Sequence, residues 1–142
     1  MLSSNFSSLQ LVLTISISRE PAVIDAAYEI PEIYNYVDFV NVIGYNYHTY
    51  KDNRTGHNAP LYSHPDEIGE EKIKNVNYTM QYLLNIGALP EKTVLGVPFF
   101  GQSFKLINKT NNALGDDIND TFKVFIYFDV ILHDLVLFCL VF

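Results

Sequence analysis

Residues 9–18, LQLVLTISIS, put Leu9, Leu11, Leu13, Ile15 and Ile17 on one face and Gln10, Val12, Thr14, Ser16 and Ser18 on the other. That period of two predicts a strand. The next run, REPAVIDAAYEIPEIYNYV, brings a proline suited to a first helical turn and then Ala-rich sequence up to Pro31, which predicts a helix. Residues 39–45, FVNVIGY, are rich in β-branched side chains and predict a second, buried strand. The clearest helical pattern lies in DEIGEEKIKNVNYTMQYLLNIGALPEK, where Ile73, Val76, Met80, Leu83 and Leu84 form one apolar stripe. Glu70 and Glu71 are expected in its first turn, where the helix dipole favours acids, and Gly87 and Pro90 mark its end. Residues 93–104, TVLGVPFFGQSF, predict a third strand. Strands alternating with helices, with no tight hairpin signal between them, predict an α/β fold with parallel strands.

The C-terminal region is of another kind. Residues 107–120 are polar and loop-like, and FKVFIYFDVILHDLVLFCLVF follows. This run approaches the length of a membrane span, but Asp129, His133 and Asp134 lie near its middle. Each acid there would cost about 2.5–3.5 kcal/mol on insertion scales, which disfavours a membrane helix. The expectation is a hydrophobic terminal segment or an aberrant end.

With 142 residues the chain has length for one domain, and 49% apolar content is a globular composition. A net charge of −7 without a Lys/Arg cluster excludes a nucleic-acid surface. The single Cys139 excludes an internal disulfide. Sequons at Asn5, Asn53, Asn77, Asn108 and Asn119 favour an extracellular protein, with Asn53, Asn77 and Asn108 the candidate glycosylation sites. The first 18 residues lack a basic start and an unbroken apolar run, so no signal peptide is read in this chain.

Candidate chemistry gathers where the strands end. The second strand finishes in Tyr45, Asn46, Tyr47 and His48, and the third in Phe99, Phe100, Gly101 and Gln102. In parallel α/β assemblies, ligands bind beyond the carboxyl ends of the strands. Rings offer flat apolar faces, and amides and phenols supply donors and acceptors, a set suited to a neutral, hydroxyl-rich ligand such as a sugar polymer. Tyrosines at such places also plug barrel mouths or pack on loops. His48 and His57 lack a second ligand at metal spacing, so loop hydrogen bonds are expected of them and no metal site. Glu20 precedes Pro21 at a helix start, where capping is the expected role. Asp66, Glu67, Glu70 and Glu71 read as a solvated acidic helix entrance.

Three stretches resemble family 18 glycoside hydrolases, the chitinases and chitinase-like proteins. IDAAYEIPEIYNYVDFVNVIGYNYH resembles the approach to their sixth barrel strand, DNRTGHNAPLYSHPDEIGE the loop after it, and PEKTVLGVPFFGQSFKL their seventh strand. The resemblance implies a partial (β/α)8 TIM barrel of strands five to seven, with residues 1–115 a catalytic-domain segment and 116–142 a divergent hydrophobic tail. A whole barrel needs about 250 residues. In this family a glutamic acid protonates the leaving oxygen while the substrate's own acetamido oxygen attacks, an exception to the two-carboxylate scheme. Its Asp-x-x-Asp-x-Asp-x-Glu motif does not occur in these residues, so no catalytic residue is assigned.

The resemblance carries over residue by residue at Ile43, where the family has methionine, and at Tyr45, Asn46, Phe100 and Gln102. The family's Met-x-Tyr-Asp element aligns with IGYN, so Tyr45 matches the tyrosine that positions the acetamido group, and Asn46 stands where the family has a carboxylate. That change removes the charge that would stabilise an oxazolinium-like cation. The family's Tyr-x-Arg is FGQ here: Phe100 lacks the hydroxyl, and Gln102 lacks the charge and fork of arginine. Tyr45, Asn46, Phe100 and Gln102, with Tyr47 and Phe99, form the candidate substrate-binding set. The implied partner is chitin or related N-acetylglucosamine oligosaccharides, with no cofactor and an extracellular location. The implied function is binding without hydrolysis; the alternative is a piece of an active secreted chitinase whose acid lies upstream. A third reading, a non-functional and unstable product, follows from the open edges of so few parallel strands.

Overall fold

The computed structural model describes residues 11–108, 110, 113–118, 125–126 and 140–141. Expectations for the first ten residues and for most of the hydrophobic tail lie outside the described residues.

Three parallel strands form the centre: β1 (Thr14–Ile17), β2 (Phe39–Ile43) and β3 (Thr93–Gly96). Thr14 pairs with Phe39 and Ile17 with Val42, and the next ladder pairs Val40 with Thr93 and Ile43 with Gly96. A short antiparallel strand, Leu140–Val141, adds to the outer side of β3, so that edge is paired, against the open edge expected there. Among the described residues β1 remains an edge.

The expected first strand is shorter at its start. Leu11 and Leu13 are exposed, and the alternation matters only from Thr14, where β2 begins to pair. The helix read from Pro21 also stops early. Helix α1 (Pro21–Ala27) ends at Tyr28, and a separate turn, α2 (Ile30–Ile33), follows. Pro31 has no N–H for the Ala27 carbonyl, and its ring would clash there in a continuous helix. Lys92 Nζ then donates to the carbonyls of Tyr34 and Val37, 2.8 and 3.0 Å away, after α2.

Helix α3 (Val76–Asn85) starts later than the pattern suggests, because Asn75 caps it with its side chain accepting from the Tyr78 N–H at 2.8 Å. Glu70 and Glu71 sit instead in a separate 3-10 turn, Gly69–Ile73. Gly87 ends the helix as expected, at φ +99°, a conformation costly for a residue with a Cβ. The buried face of α3 is Val76, Thr79 and Leu83; Leu84 is exposed.

One side of the sheet meets these helices. Ile17, Val40 and Val42 pack with Ile24, Ile30, Tyr34, Leu83 and Ala88 in one core cluster. Leu83 is wholly buried, which contributes about 1.5–3 kcal/mol. The Tyr34 hydroxyl and Thr93 Oγ1 form a buried hydrogen bond at 2.5 Å, and Thr93 Oγ1 donates onward to the Leu89 carbonyl at 2.7 Å. Burial raises the Tyr34 pKa, so this hydroxyl stays protonated at neutral pH. No helix among the described residues is long and apolar enough to cross a membrane.

The expected third strand divides. After Gly96 the chain leaves the sheet, and β4 (Gly101–Gln102) pairs antiparallel with β5 (Phe125–Ile126) in a second, two-stranded sheet. Val97 and Pro98 therefore lead into a bend at Phe99 and Phe100, between β3 and β4.

Candidate functional site

Beyond Ile43 the β2 backbone turns sharply. Asn46 adopts φ +63°, in the left-handed region that asparagine tolerates better than most residues. The turn sends Tyr45 and Tyr47 to different places. Tyr45 stays half-buried on the side of the sheet away from the helices, lining a small cleft of about 220 Å3 with Ser16, Asn41, Ile43, Phe99 and Phe100. Its ring meets Phe100 edge to face, with centroids 5.6 Å apart. Phe99 is 64% exposed at the mouth. An exposed ring beside a half-buried T-shaped pair offers apolar faces at low cost in side-chain entropy.

Tyr47 turns into the core instead. It is 4% exposed and packs with Val76 and Leu95. Its hydroxyl donates to Thr79 Oγ1 at 2.7 Å, and Thr79 Oγ1 donates to the Arg19 carbonyl at 3.1 Å. Burial raises its pKa. The Arg19 guanidinium lies over its ring, 5.5 Å from the centroid. Tyr47, read from the sequence as a platform, is thus a support: the ring is covered and the hydroxyl is spent on the fold.

Asn46 and Gln102 come together from the two strand ends. Gln102 Nε2 donates to Asn46 Oδ1 at 2.7 Å, and both border a larger cleft of about 550 Å3 with Tyr47, Thr49, Asp52 and Lys74. Positions where the resemblance implies a carboxylate and a guanidinium carry a neutral amide pair in direct contact. Two carboxylates also border this cleft. Glu20 is tied to Arg19 at 3.0 Å, and Asp52 accepts from Lys74 Nζ at 3.1 Å and from the Thr49 N–H at 2.6 Å. Glu20 occupies the cap position of α1, but its side chain makes no capping bond, contrary to the role expected of it. Burial alone would lower the Lys74 pKa, yet its hydrogen bonds to Glu71 and Asp52 outweigh that and raise it.

His48 anchors a third cleft, of about 600 Å3, on the far side of the same loop. The ring is buried against Gly56, where a Cβ would lie 2.1 Å from His48 Cγ, so only glycine fits. Nδ1 is 3.6 Å from Glu71 and Nε2 is 3.9 Å from Glu67, with no hydrogen-bond partner for Nε2 among the described residues. The loop hydrogen bond expected of this histidine is replaced by a loose acidic cage. Burial pushes its pKa down, against the pull of Glu71. Glu67 and Glu71, with side chains 19% and 45% exposed, therefore stand beside a buried ring and do not form a purely solvated entrance. Among the described residues no group of three or more His, Cys, Asp or Glu side chains is arranged to hold a metal ion.

Sequence reasoning gave Asn58 no role. Its Oδ1 accepts from the Asn46 N–H at 3.0 Å, its Nδ2 donates to the Phe100 carbonyl at 3.1 Å, and its own carbonyl accepts from the Tyr47 N–H at 3.0 Å. An asparagine in a glycine-containing loop signals a side chain able to bond backbone groups. Its partners lie up to 42 residues away and leave no local signature. The candidate glycosylation residues Asn53, Asn77 and Asn108 are all exposed. Residues beyond 115 also join this region: Ile118 is buried, and the Thr55 hydroxyl bonds the Ala113 carbonyl and the Asp116 N–H.

The comparisons with known proteins agree on one family. The family model for glycosyl hydrolases family 18 matches residues 1–130. The chain is 42% identical over 113 residues to "Probable chitinase 10" of Drosophila melanogaster, covering 80% of this chain and 5% of that protein. It superposes with a TM-score of 0.72 on catalytic domain 2 of the Ostrinia furnacalis Group II chitinase in complex with penta-N-acetylchitooctaose, at 37% identity over 77% of this chain and 28% of that one. Human YKL-39, described as a pseudo-chitinase with retained chitooligosaccharide binding properties, gives a TM-score of 0.74 at 29% identity, covering 79% and 31%. The chain therefore spans less than a third of the length of each of these relatives. The parallel sheet and its helices are a segment of their (β/α)8 barrel.

Proposed function

The chain belongs to glycosyl hydrolase family 18, and from that premise we propose that it binds chitin-type N-acetylglucosamine oligosaccharides without cleaving them. The observation that carries this reading is the Asn46–Gln102 hydrogen bond. With Asn46 Oδ1 accepting from Gln102, the Asn46 Nδ2 group can still donate and Gln102 Oε1 can still accept. That is the complement of a secondary amide, the polar part of an N-acetyl group. The rings of Tyr45, Phe99 and Phe100 take the apolar faces of the sugar. Hydrolysis needs more. A developing oxazolinium-like cation would find no negative charge at Asn46, and Glu20 and Asp52 are engaged by Arg19 and Lys74. Tyr45 retains its hydroxyl, so acetamido positioning survives where charge stabilisation does not. An extracellular location and glycosylation at Asn53, Asn77 and Asn108 belong to the same reading, as does a boundary near residue 115 between the barrel segment and the hydrophobic tail.

A second reading is a segment of an active chitinase acting on β-1,4-linked N-acetylglucosamine polymers, favoured by the 42% identity to a probable chitinase. Titrating the chain with the N-acetylglucosamine tetramer, and then analysing the recovered sugar by mass spectrometry, tests the first reading; the same assay on a longer form that carries the acid motif tests the second. Saturable binding with intact tetramer is expected. Shorter products from this chain above a heat-inactivated control would overturn the non-hydrolytic reading, and no saturable binding would overturn the binding reading.

A further inference from the structure

The β2–β3 ladder ends at Ile43 and Gly96, with one further bond from the Gly44 N–H to the Gly96 carbonyl at 3.1 Å. Beyond it the two segments part, and both sides of the proposed sugar site lie where the segments are no longer laddered to each other. Asn46 is on one segment; Phe100 and Gln102 are on the other. Sheet hydrogen bonding does not set their separation. The Tyr45–Phe100 ring contact is apolar and only loosely directional, and the Gln102–Asn46 bond is itself part of the proposed ligand surface. Asn58 supplies the missing constraint. One planar amide holds the Asn46 N–H with its oxygen and the Phe100 carbonyl with its nitrogen, while its backbone carbonyl pins Tyr47. It also holds Asn46 at a positive φ that a free loop would leave. Asn58 does not line either cleft bordered by Asn46, Phe100 or Gln102.

We infer that Asn58 is a positioning residue: its side chain fixes the spacing between Asn46 and the Phe100–Gln102 segment, and through that spacing the affinity for N-acetylated sugar, without touching the sugar. The ligand half of this inference rests on the reading proposed above; the geometric half does not.

Asn58→Ala and Asn58→Asp, compared with the unsubstituted chain, test both halves. Tetramer affinity is measured by calorimetry, and amide hydrogen exchange is followed by NMR at Asn46, Tyr47 and the β2 amides. Asn58→Ala is expected to weaken tetramer binding about 10-fold, the scale of one lost hydrogen bond. It is also expected to speed exchange at the Asn46 N–H while leaving Tyr47 unchanged, because Tyr47 bonds the backbone carbonyl of residue 58, which the substitution keeps. Asn58→Asp retains the acceptor for Asn46 but not the donor to Phe100, so protection at Asn46 returns and affinity recovers only in part. Unchanged affinity, or unchanged exchange at Asn46, in the alanine variant overturns the inference. Exchange rising together at Asn46, Tyr47 and β2 also overturns it, since that marks a residue of general stability. If the unsubstituted chain binds no tetramer, the ligand reading falls alone, and the exchange pattern still decides whether Asn58 positions Asn46.

Discussion

The two ends of β2 are governed by different forces. Val40 and Val42 point into a dry cluster with Ile17, Ile24 and Leu83, where stability comes from apolar area removed from water and is not directional. A few residues on, Tyr45, Asn46, Phe100 and Gln102 are half-buried, and their arrangement depends on a handful of directional bonds. Lost volume in the core costs stability. The strand ends tolerate a change of charge so long as hydrogen bonds still close. A neutral amide pair can therefore stand where the family resemblance implies a carboxylate and a guanidinium, with the fold beneath undisturbed.

Substitutions on either side should keep to this division. Leu83→Ala should cost about 2–5 kcal/mol in denaturant-induced unfolding, while the folded fraction keeps its sugar affinity. A large affinity loss per folded molecule would break the division. Gln102→Ala should do the reverse: sugar affinity falls about 10-fold, and unfolding free energy stays within about 0.5 kcal/mol. Tyr47→Phe lies between the regions. It removes the hydroxyl that Thr79 accepts from and should cost about 1 kcal/mol of stability with no change in binding. Weaker binding in this variant would return Tyr47 to the ligand surface.

The smallest effect expected is one of pH. Burial holds the His48 pKa below 6.5; Lys74 adds to this, and the carboxylates of Glu71, Asp52 and Glu67 oppose it. Its neutral form is thus favoured in the folded state. Between that lowered value and the unfolded value of about 6.5, the unfolded chain binds more protons. The contribution is therefore complete above about pH 6.5 and declines as pH falls toward the folded value. The unfolding free energy of the wild type minus that of His48→Asn should show this decline between about pH 7.5 and 5; a flat difference would mean the imidazole is not desolvated.

How much of this was legible follows from the range of each interaction. The strand at Phe39–Ile43, the stop at Gly87 and the buried Val40, Val42 and Leu83 are written in local periodicity and glycine chemistry. The start of α3 was missed because Glu70 and Glu71 looked like a first turn, while the Asn75 cap decided it. The third strand looks longer in the sequence than it is because FFGQSF keeps strand-like composition, yet Gly101–Gln102 pairs with Phe125–Ile126 in a separate sheet. At the site, the set of residues near the strand ends was legible, but not their division. Tyr45 and Tyr47 differ by the positive φ of Asn46 between them, and the bridging by Asn58 joins positions 12 and 42 residues apart. Such partners are fixed only by the folded chain.

On the proposed reading, a neutral amide pair recognises the N-acetyl group of a sugar. Calorimetric titration of the chain with the N-acetylglucosamine tetramer and with its fully deacetylated counterpart, under one buffer and salt, addresses it most directly. The acetylated tetramer should bind at least about 10-fold tighter, with that preference lost in Gln102→Ala. Equal affinity for the two, or preference for the deacetylated, cationic chain, would contradict it.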